Sequence, residues 1–266
     1  MICFPNAKIN IGLSVKAKRA DGYHDIESIF YPVNWCDILE IVPADNFEFF
    51  PSGLAIDGDS KNNLVIKAYH ELKNRFNLPP VHIYLHKVIP MGAGLGGGSA
   101  DGAFALRLLN DLFELNLDTT QLQQMAATLG SDCPFFIQNV PCKVTGRGEI
   151  IEPMPFSLAG KWIKLVYPGI HINTKTAFEQ LNKNASKRKP FDRDASQDPF
   201  WFFQNDFEAG AIELFPSLAN VRQSLKQQGA YFVSMTGSGS CFFGLFHQKP
   251  TDENQSQYSS FITQLA

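Results

Sequence analysis

No run in this 266-residue chain approaches the ~18 consecutive apolar residues that a bilayer-spanning helix needs, so none is expected. The N-terminus, Met1-Ile2-Cys3-Phe4-Pro5-Asn6-Ala7-Lys8, lacks the charge-then-apolar order of a signal peptide and any cleavage site; the expected location is the cytoplasm. Cysteine is sparse and badly spaced for cross-linking. Cys3, Cys36, Cys133, Cys142 and Cys241 are odd in number, dispersed and free of CxxC pairs, so neither a disulfide framework nor a zinc site is indicated. An excess of charge is missing too: 23 basic and 26 acidic residues give a net charge of −3, with no global pull toward nucleic acid or a membrane. Any polyanion binding must be local. Internal repeats and low-complexity tracts are also lacking.

What the chain does have is glycine, concentrated in one place. Pro90-Met91-Gly92-Ala93-Gly94-Leu95-Gly96-Gly97-Gly98-Ser99 carries five glycines in the seven positions 92–98. Upstream, Val81-His82-Ile83-Tyr84-Leu85-His86 alternates as a strand does. Downstream, Arg107, Asn110, Asp111 and Glu114 mark the polar face of an amphipathic helix whose expected N-cap is Ser99. Strand, glycine loop, helix is the order in which backbone N–H groups and a helix N-terminus receive phosphate. A flexible linker is the bland alternative, although linkers seldom lead straight into a helix. Gly92-x-Gly94-x-x-Gly97 formally fits a dinucleotide fingerprint, but no second strand ending in an acidic residue follows. A Walker loop would need Lys before Ser99, and a protein kinase would need His-Arg-Asp and Asp-Phe-Gly; none of these occurs.

Periodicity predicts further strands at 7–16 and 38–42, a helix at 64–76, and a helix at 121–129 ended by Gly130. It also predicts a strand around 135–137, an extended segment at 142–151 and a strand at 162–167. Helices are expected at 174–181 and 217–228, with strands at 231–235 and 241–246. Prolines at 153 and 155 suggest a domain boundary, dividing the chain into 1–152 and 153–266. The basic segment 182–198 reads as a solvated loop.

Three other places could carry chemistry. Thr236-Gly237-Ser238-Gly239-Ser240 is a second glycine-rich connection, either a hairpin turn or, with the first loop, one wall of a cleft between domains. Lys8 shares one strand face with Asn10 and Gly12, opposite Ile9, Ile11 and Leu13; an edge lysine would look the same. Asp132 follows Gly130 in a constrained turn, where it could form an Asx turn or orient a hydroxyl for attack on a γ-phosphate.

Ala7-Lys8-Ile9-Asn10, the block Pro90 to Asp101, and Thr236 to Ser240 resemble the three motifs of the GHMP kinase superfamily, in order and over nearly the whole chain. Pro5 to Asn10, Arg19-Ala20-Asp21-Gly22-Tyr23-His24, the Gly-Gly-Gly-Ser form of the second motif and Asn205-Asp206-Phe207-Glu208 narrow the resemblance. They match the branch that phosphorylates the 2-hydroxyl of 4-diphosphocytidyl-2-C-methyl-D-erythritol in non-mevalonate isoprenoid precursor biosynthesis.

The resemblance implies a two-domain α+β fold, with an N-terminal domain like ribosomal protein S5 domain 2 and a ferredoxin-like C-terminal domain. It implies catalytic roles for Asp132, as the base for the substrate hydroxyl, and for Lys8, as the cation that holds Asp132 ionised. ATP is implied at Pro90, Met91, Gly92, Ala93, Gly94, Leu95, Gly96, Gly97, Gly98 and Ser99, with Asn63 and Lys87, and with Asn62, Val65 and Lys67 nearby. Substrate contacts are implied for Asn10, Tyr23, His24, Thr174, Phe178, Thr236, Gly237, Ser238 and Gly239, with Tyr23 and Phe178 sandwiching a cytosine that His24 reads. On the residues alone, Tyr23 and Phe178 read equally as packing aromatics among 23 phenylalanines. Mg²⁺ follows from ATP chemistry, with ligands unidentified. Ala100 stands where the family often has Ser, and Asp101 would repel phosphate unless turned elsewhere; both roles stay open. The expected partner is a small cytidine diphosphate sugar-alcohol, not nucleic acid or membrane, and monomer and homodimer are both open. Rival readings are another small-molecule kinase of the superfamily, acting on mevalonate, homoserine or a sugar, and a non-catalytic nucleotide-binding protein.

Overall fold

The computed structural model describes residues 1–20, 22–56, 60–183, 204–251 and 258–266. The basic segment 182–198 therefore lies, beyond residue 183, outside the described residues. The first part of the chain runs β1 (Ile2–Cys3), β2 (Asn6–Lys18), β3 (His24–Cys36), β4 (Ile38–Pro43), β5 (Glu48–Gly53), α1 (Leu64–Phe76) and β6 (Val81–Lys87). It continues with α2 (Gly97–Leu112), α3 (Thr119–Leu129), α4 (Cys133–Gln138), β7 (Cys142–Thr145) and β8 (Ile150–Pro153). The second part comprises β9 (Trp162–Tyr167), α5 (Thr174–Lys183), α6 (Glu208–Leu214), α7 (Ser217–Gln227), β10 (Phe232–Met235), β11 (Phe242–Phe246) and β12 (Ser259–Gln264).

The described residues form three four-stranded sheets, ordered β1-β4-β6-β5, β2-β3-β7-β8 and β10-β11-β9-β12. Among the strand pairs of the described residues only β5–β6 is parallel; an isolated parallel bridge also joins Leu13 to Asn205. The first two sheets lie wholly before residue 154 and the third wholly after 161, giving the expected α+β architecture. Strand β2 joins the parts. Its residues Ala7, Ile9 and Ile11 are fully buried against Ile163, Leu165, Phe243 and Leu245 of the third sheet. Burying a side chain of the Val/Leu/Ile/Phe kind contributes about 1.5–3 kcal/mol, so this seam is a true core. The intervening Lys8 and Asn10, 3% and 1% exposed, point the other way.

Local chemistry explains most element ends. Asn63 accepts a bond from Val65 N at 2.9 Å to cap α1, and left-handed Asn77 ends it. Asp118 and Gln121 form a reciprocal capping box on α3. Three expectations need correction. Helix α2 starts at Gly97 behind a left-handed Gly96, so Ser99 lies inside the first turn and is not the N-cap. The 135–137 run is helical, because Pro134 presets the first turn of α4 and the short helix is buried all round. The 142–151 segment is a hairpin, β7 and β8, turned through 146–149.

Candidate active site

A cleft of about 570 Å³ opens between the parts of the chain. Its walls are Lys8 and Asn10 of β2, the glycine loop from Pro90 to Ser99, Asp132, Tyr23 just before β3 and His24 at its start, Thr174 and Phe178 of α5, and Gly237 and Ser238. Apolar burial of β2 against the third sheet thus carries its polar face to the mouth of the glycine loop.

The two glycine-rich loops touch. A Cβ on Gly94, which has φ +80°, would lie 2.1 Å from the carbonyl oxygen of Thr236, so only glycine permits the contact. Cys241 N donates to Ala93 O at 3.1 Å, and the Thr236 hydroxyl lies 3.1 Å from Gly94 O. Asn205 Nδ2 donates to the carbonyls of Met235 and Gly237 at 2.7 and 2.8 Å, while Glu208 accepts from Met235 N at 2.9 Å. The block 205–208 is therefore a brace beneath the second loop. Burial raises the pKa of Glu208, against the opposing pull of its bond from Met235 N and of Arg222.

Lys8 and Asp132 are brought together, Nζ to Oδ2 at 3.3 Å, with Lys8 buried and Asp132 about a third exposed. Three contacts fix the lysine: its backbone N donates to Leu95 O at 2.9 Å, Nζ donates to Asn10 Oδ1 at 2.6 Å, and the ammonium sits 4.4 Å from the centre of the Phe30 ring. Asn10 Oδ1 also accepts from Gly237 N at 2.9 Å, and Nδ2 donates to Ser28 Oγ at 3.0 Å. Asn10, expected as a substrate contact, is largely engaged within the protein and ties Lys8 to the second loop.

Four expected contacts do not line the cleft: Asn63, Lys87, Thr236 and Gly239. Asn63 is the α1 cap, and Thr236 is fully buried. Lys87, only 2% exposed, is held by Asp37 and, at 2.6 Å, by Asp101 Oδ2. Asp37 Oδ1 accepts in turn from Val88 N and Ile89 N at 2.5 and 2.9 Å, anchoring the chain as it enters the glycine loop. Asp101 thus faces a lysine rather than phosphate, which removes the expected repulsion. Its Oδ1 has no hydrogen-bond partner among the described residues, and burial pushes its pKa up to about 7 despite the pull of Lys87.

At the far end of the cleft His24 stacks on Phe178, ring centres 4.8 Å apart, and Phe178 meets Phe207 edge-on at 4.9 Å. Tyr23 is exposed, with the Arg147 guanidinium 5.1 Å from its ring centre. One face of Phe178 is therefore covered by histidine rather than open opposite Tyr23. Thr174 Oγ1 and Ser238 Oγ approach to 3.4 Å across the cleft. Ser131, Arg147, His171 and Phe207 also line it and were not anticipated. Arg147 sits in the glycine-flanked 146–148 turn, a signal that could have been read from the sequence.

Among the described residues no helix is long and apolar enough to cross a membrane. The family described as GHMP kinases N terminal domain matches residues 63–141, and GHMP kinases C terminal matches 188–261. A Cytophaga hutchinsonii protein named 4-diphosphocytidyl-2-C-methyl-D-erythritol kinase is 46% identical over 272 residues, covering 100% of both chains. The crystal structure of a 4-(cytidine 5'-diphospho)-2C-methyl-D-erythritol kinase superposes with a TM-score of 0.76 at 29% identity, over 100% of this chain and 99% of that one. Mevalonate kinase of Methanococcus jannaschii shares the fold, with a TM-score of 0.68 at 12% identity over 100% of this chain and 98% of that one. With both family domains matched and relatives of this identity along its full length, the chain belongs to the GHMP kinases.

Proposed function

We propose that the chain transfers the γ-phosphoryl group of ATP to the 2-hydroxyl of 4-diphosphocytidyl-2-C-methyl-D-erythritol, in non-mevalonate isoprenoid precursor biosynthesis. The observation that carries this reading is the buried Lys8 paired with Asp132 at the mouth of the glycine loop. The names of the full-length relatives support the choice of acceptor.

The first-turn N–H groups of α2, at Gly97, Gly98 and Ser99, have no intrahelical acceptor and, with the helix dipole, receive the terminal phosphates. Gly98 is exposed, and a Cβ there would meet nothing within 4 Å, so the backbone is open to an anion at that point. Asp132 accepts the proton of the 2-hydroxyl as its oxygen bonds to the γ-phosphorus. The bond from that phosphorus to the β,γ-bridging oxygen breaks, and ADP leaves. Lys8 offsets negative charge at the reacting oxygens without leaving Asp132. Tyr23, His24 and Phe178 take the cytosine, the base entering where His24 now covers Phe178.

Magnesium fits as an ion carried by the triphosphate. No group of three or more His, Cys, Asp or Glu side chains converges among the described residues, and Asp101 is committed to Lys87. Mg²⁺ in kinase sites keeps phosphate and water ligands, to which the Ser99 hydroxyl would add one oxygen; it neutralises phosphate charge when bound. The domain boundary is placed at 152/153, and the reaction in the cytoplasm. The test is ADP release by the purified protein with the cytidine substrate, mevalonate, homoserine and galactose as alternative acceptors. Turnover of the cytidine substrate alone supports the proposal; turnover of another acceptor without it refutes it.

A further inference from the structure

The proposed reaction brings two polyanions into one cleft, a triphosphate and a diphosphate ester, and most of its cationic capacity is already committed. Lys8 is bound to Asp132 and Asn10, and Arg147 lies 3.6 Å from Glu149 and over the Tyr23 ring. His171 is different. It is exposed, lines the cleft from the connection between β9 and α5, and has no hydrogen-bond partner among the described residues. Its ring lies directly against the backbone of Gly92. A Cβ on Gly92, at φ +65°, would lie 2.0 Å from the imidazole Nδ1 and 2.5 Å from Cε1. The first glycine of the phosphate loop thus provides a seat for an imidazole from the other part of the chain. That seat is at the seam where the glycine loop faces the segment leading to Thr174.

We propose that His171 is a further substrate-binding residue, its imidazole N–H donating to a phosphate oxygen of the bound reactants. This rests on the phosphoryl-transfer reading above. The shared chemistry is a phosphate ester; the source is the terminal phosphates of ATP or the diphosphate of the acceptor, and separate kinetic constants distinguish them. A bond to a charged oxygen is strong enough that its loss raises a KM about tenfold or more.

The experiment compares wild type, His171→Ala and His171→Gln in steady state with each substrate varied, and measures binding of a non-hydrolysable ATP analogue and of unphosphorylated cytidine by calorimetry. A raised KM for ATP assigns the bond to the triphosphate, and a raised KM for the acceptor assigns it to the diphosphate. In either case Gln, which keeps an N–H donor, recovers part of the loss and cytidine binding is unchanged. A merely structural role would instead weaken cytidine binding and show no recovery by Gln, and that result overturns the proposal. So do unchanged KM values for both substrates in His171→Ala. If wild type turns over no cytidine substrate, the functional reading fails separately; unchanged affinity of His171→Ala for the ATP analogue then overturns the role of His171 as well.

Discussion

Asp101→Asn should become progressively more stabilising, relative to wild type, as pH rises from 5 to 7. Lys87 faces two carboxylates, Asp37 and Asp101, and all three side chains are between 0% and 4% exposed, so ionising both carboxylates would leave one uncompensated negative charge away from water. Burial and Asp37 raise the pKa of Asp101 from 3.8 to about 7, with Lys87 opposing them. Because the folded-state value is raised, the folded protein holds a proton that the unfolded chain has already released. The associated stability is fully present below about pH 4 and is lost as pH climbs through 7. Between pH 5 and 7 the loss comes to about 2 kcal/mol at ~1.4 kcal/mol per pH unit, the slope flattening near the pKa. In the variant, the amide oxygen takes the place of Oδ2 beside Lys87, and the amino group takes the place of Oδ1, which has no partner to lose among the described residues. Urea unfolding of both proteins at pH 5, 6 and 7 reads the difference. A shift of about 2 kcal/mol toward the variant, or about 4–8 °C in Tm for a chain of this size, is expected. A difference that stays constant with pH, or moves the other way, refutes the reasoning about the buried cluster.

Two further outcomes concern the chemistry. Asp132→Ala should lower kcat by about 10²–10⁴, the usual worth of a general base, while the Kd for a non-hydrolysable ATP analogue changes less than about twofold; full residual turnover would remove Asp132 from the mechanism. Phe178→Ala should raise the KM for the cytidine substrate by about 5- to 150-fold, since base stacking on an aromatic contributes about 1–3 kcal/mol, and leave the KM for ATP unchanged. Equal effects on both constants would show that Phe178 is a packing residue.

Where a segment's structure depends on its own residues, the sequence was readable. Helix α1 spans the expected 64–76 because its cap, Asn63, and its terminator, Asn77, are local. The run Phe135-Phe136-Ile137 could not be read the same way, since three apolar residues have no period and burial on all sides erases amphipathicity. Long-range pairing explains the rest. Asp37, Lys87 and Asp101 are a buried ion cluster assembled from the residue after β3, the end of β6 and the second turn of α2, so nothing beside Lys87 in sequence shows that it is engaged. His171 and Arg147 are isolated basic residues in loops, and their place in the cleft follows from how the two parts of the chain meet at β2. The five glycines of the first loop read as one anion cradle. In the structure Gly94 allows loop to meet loop and Gly92 seats an imidazole, leaving Gly98 as the open backbone.

The central claim is that the cleft aligns a γ-phosphate at the α2 N-terminus with a hydroxyl held by Asp132. A crystal structure with the cytidine diphosphate substrate and a non-hydrolysable ATP analogue tests it most directly. The account predicts the γ-phosphate against the N–H groups of Gly97 to Ser99, the 2-hydroxyl within hydrogen-bond reach of Asp132, and cytosine between Tyr23 and Phe178 with His24 swung off the Phe178 face. A substrate hydroxyl remote from Asp132, or a cytosine bound away from Tyr23 and Phe178, would contradict it.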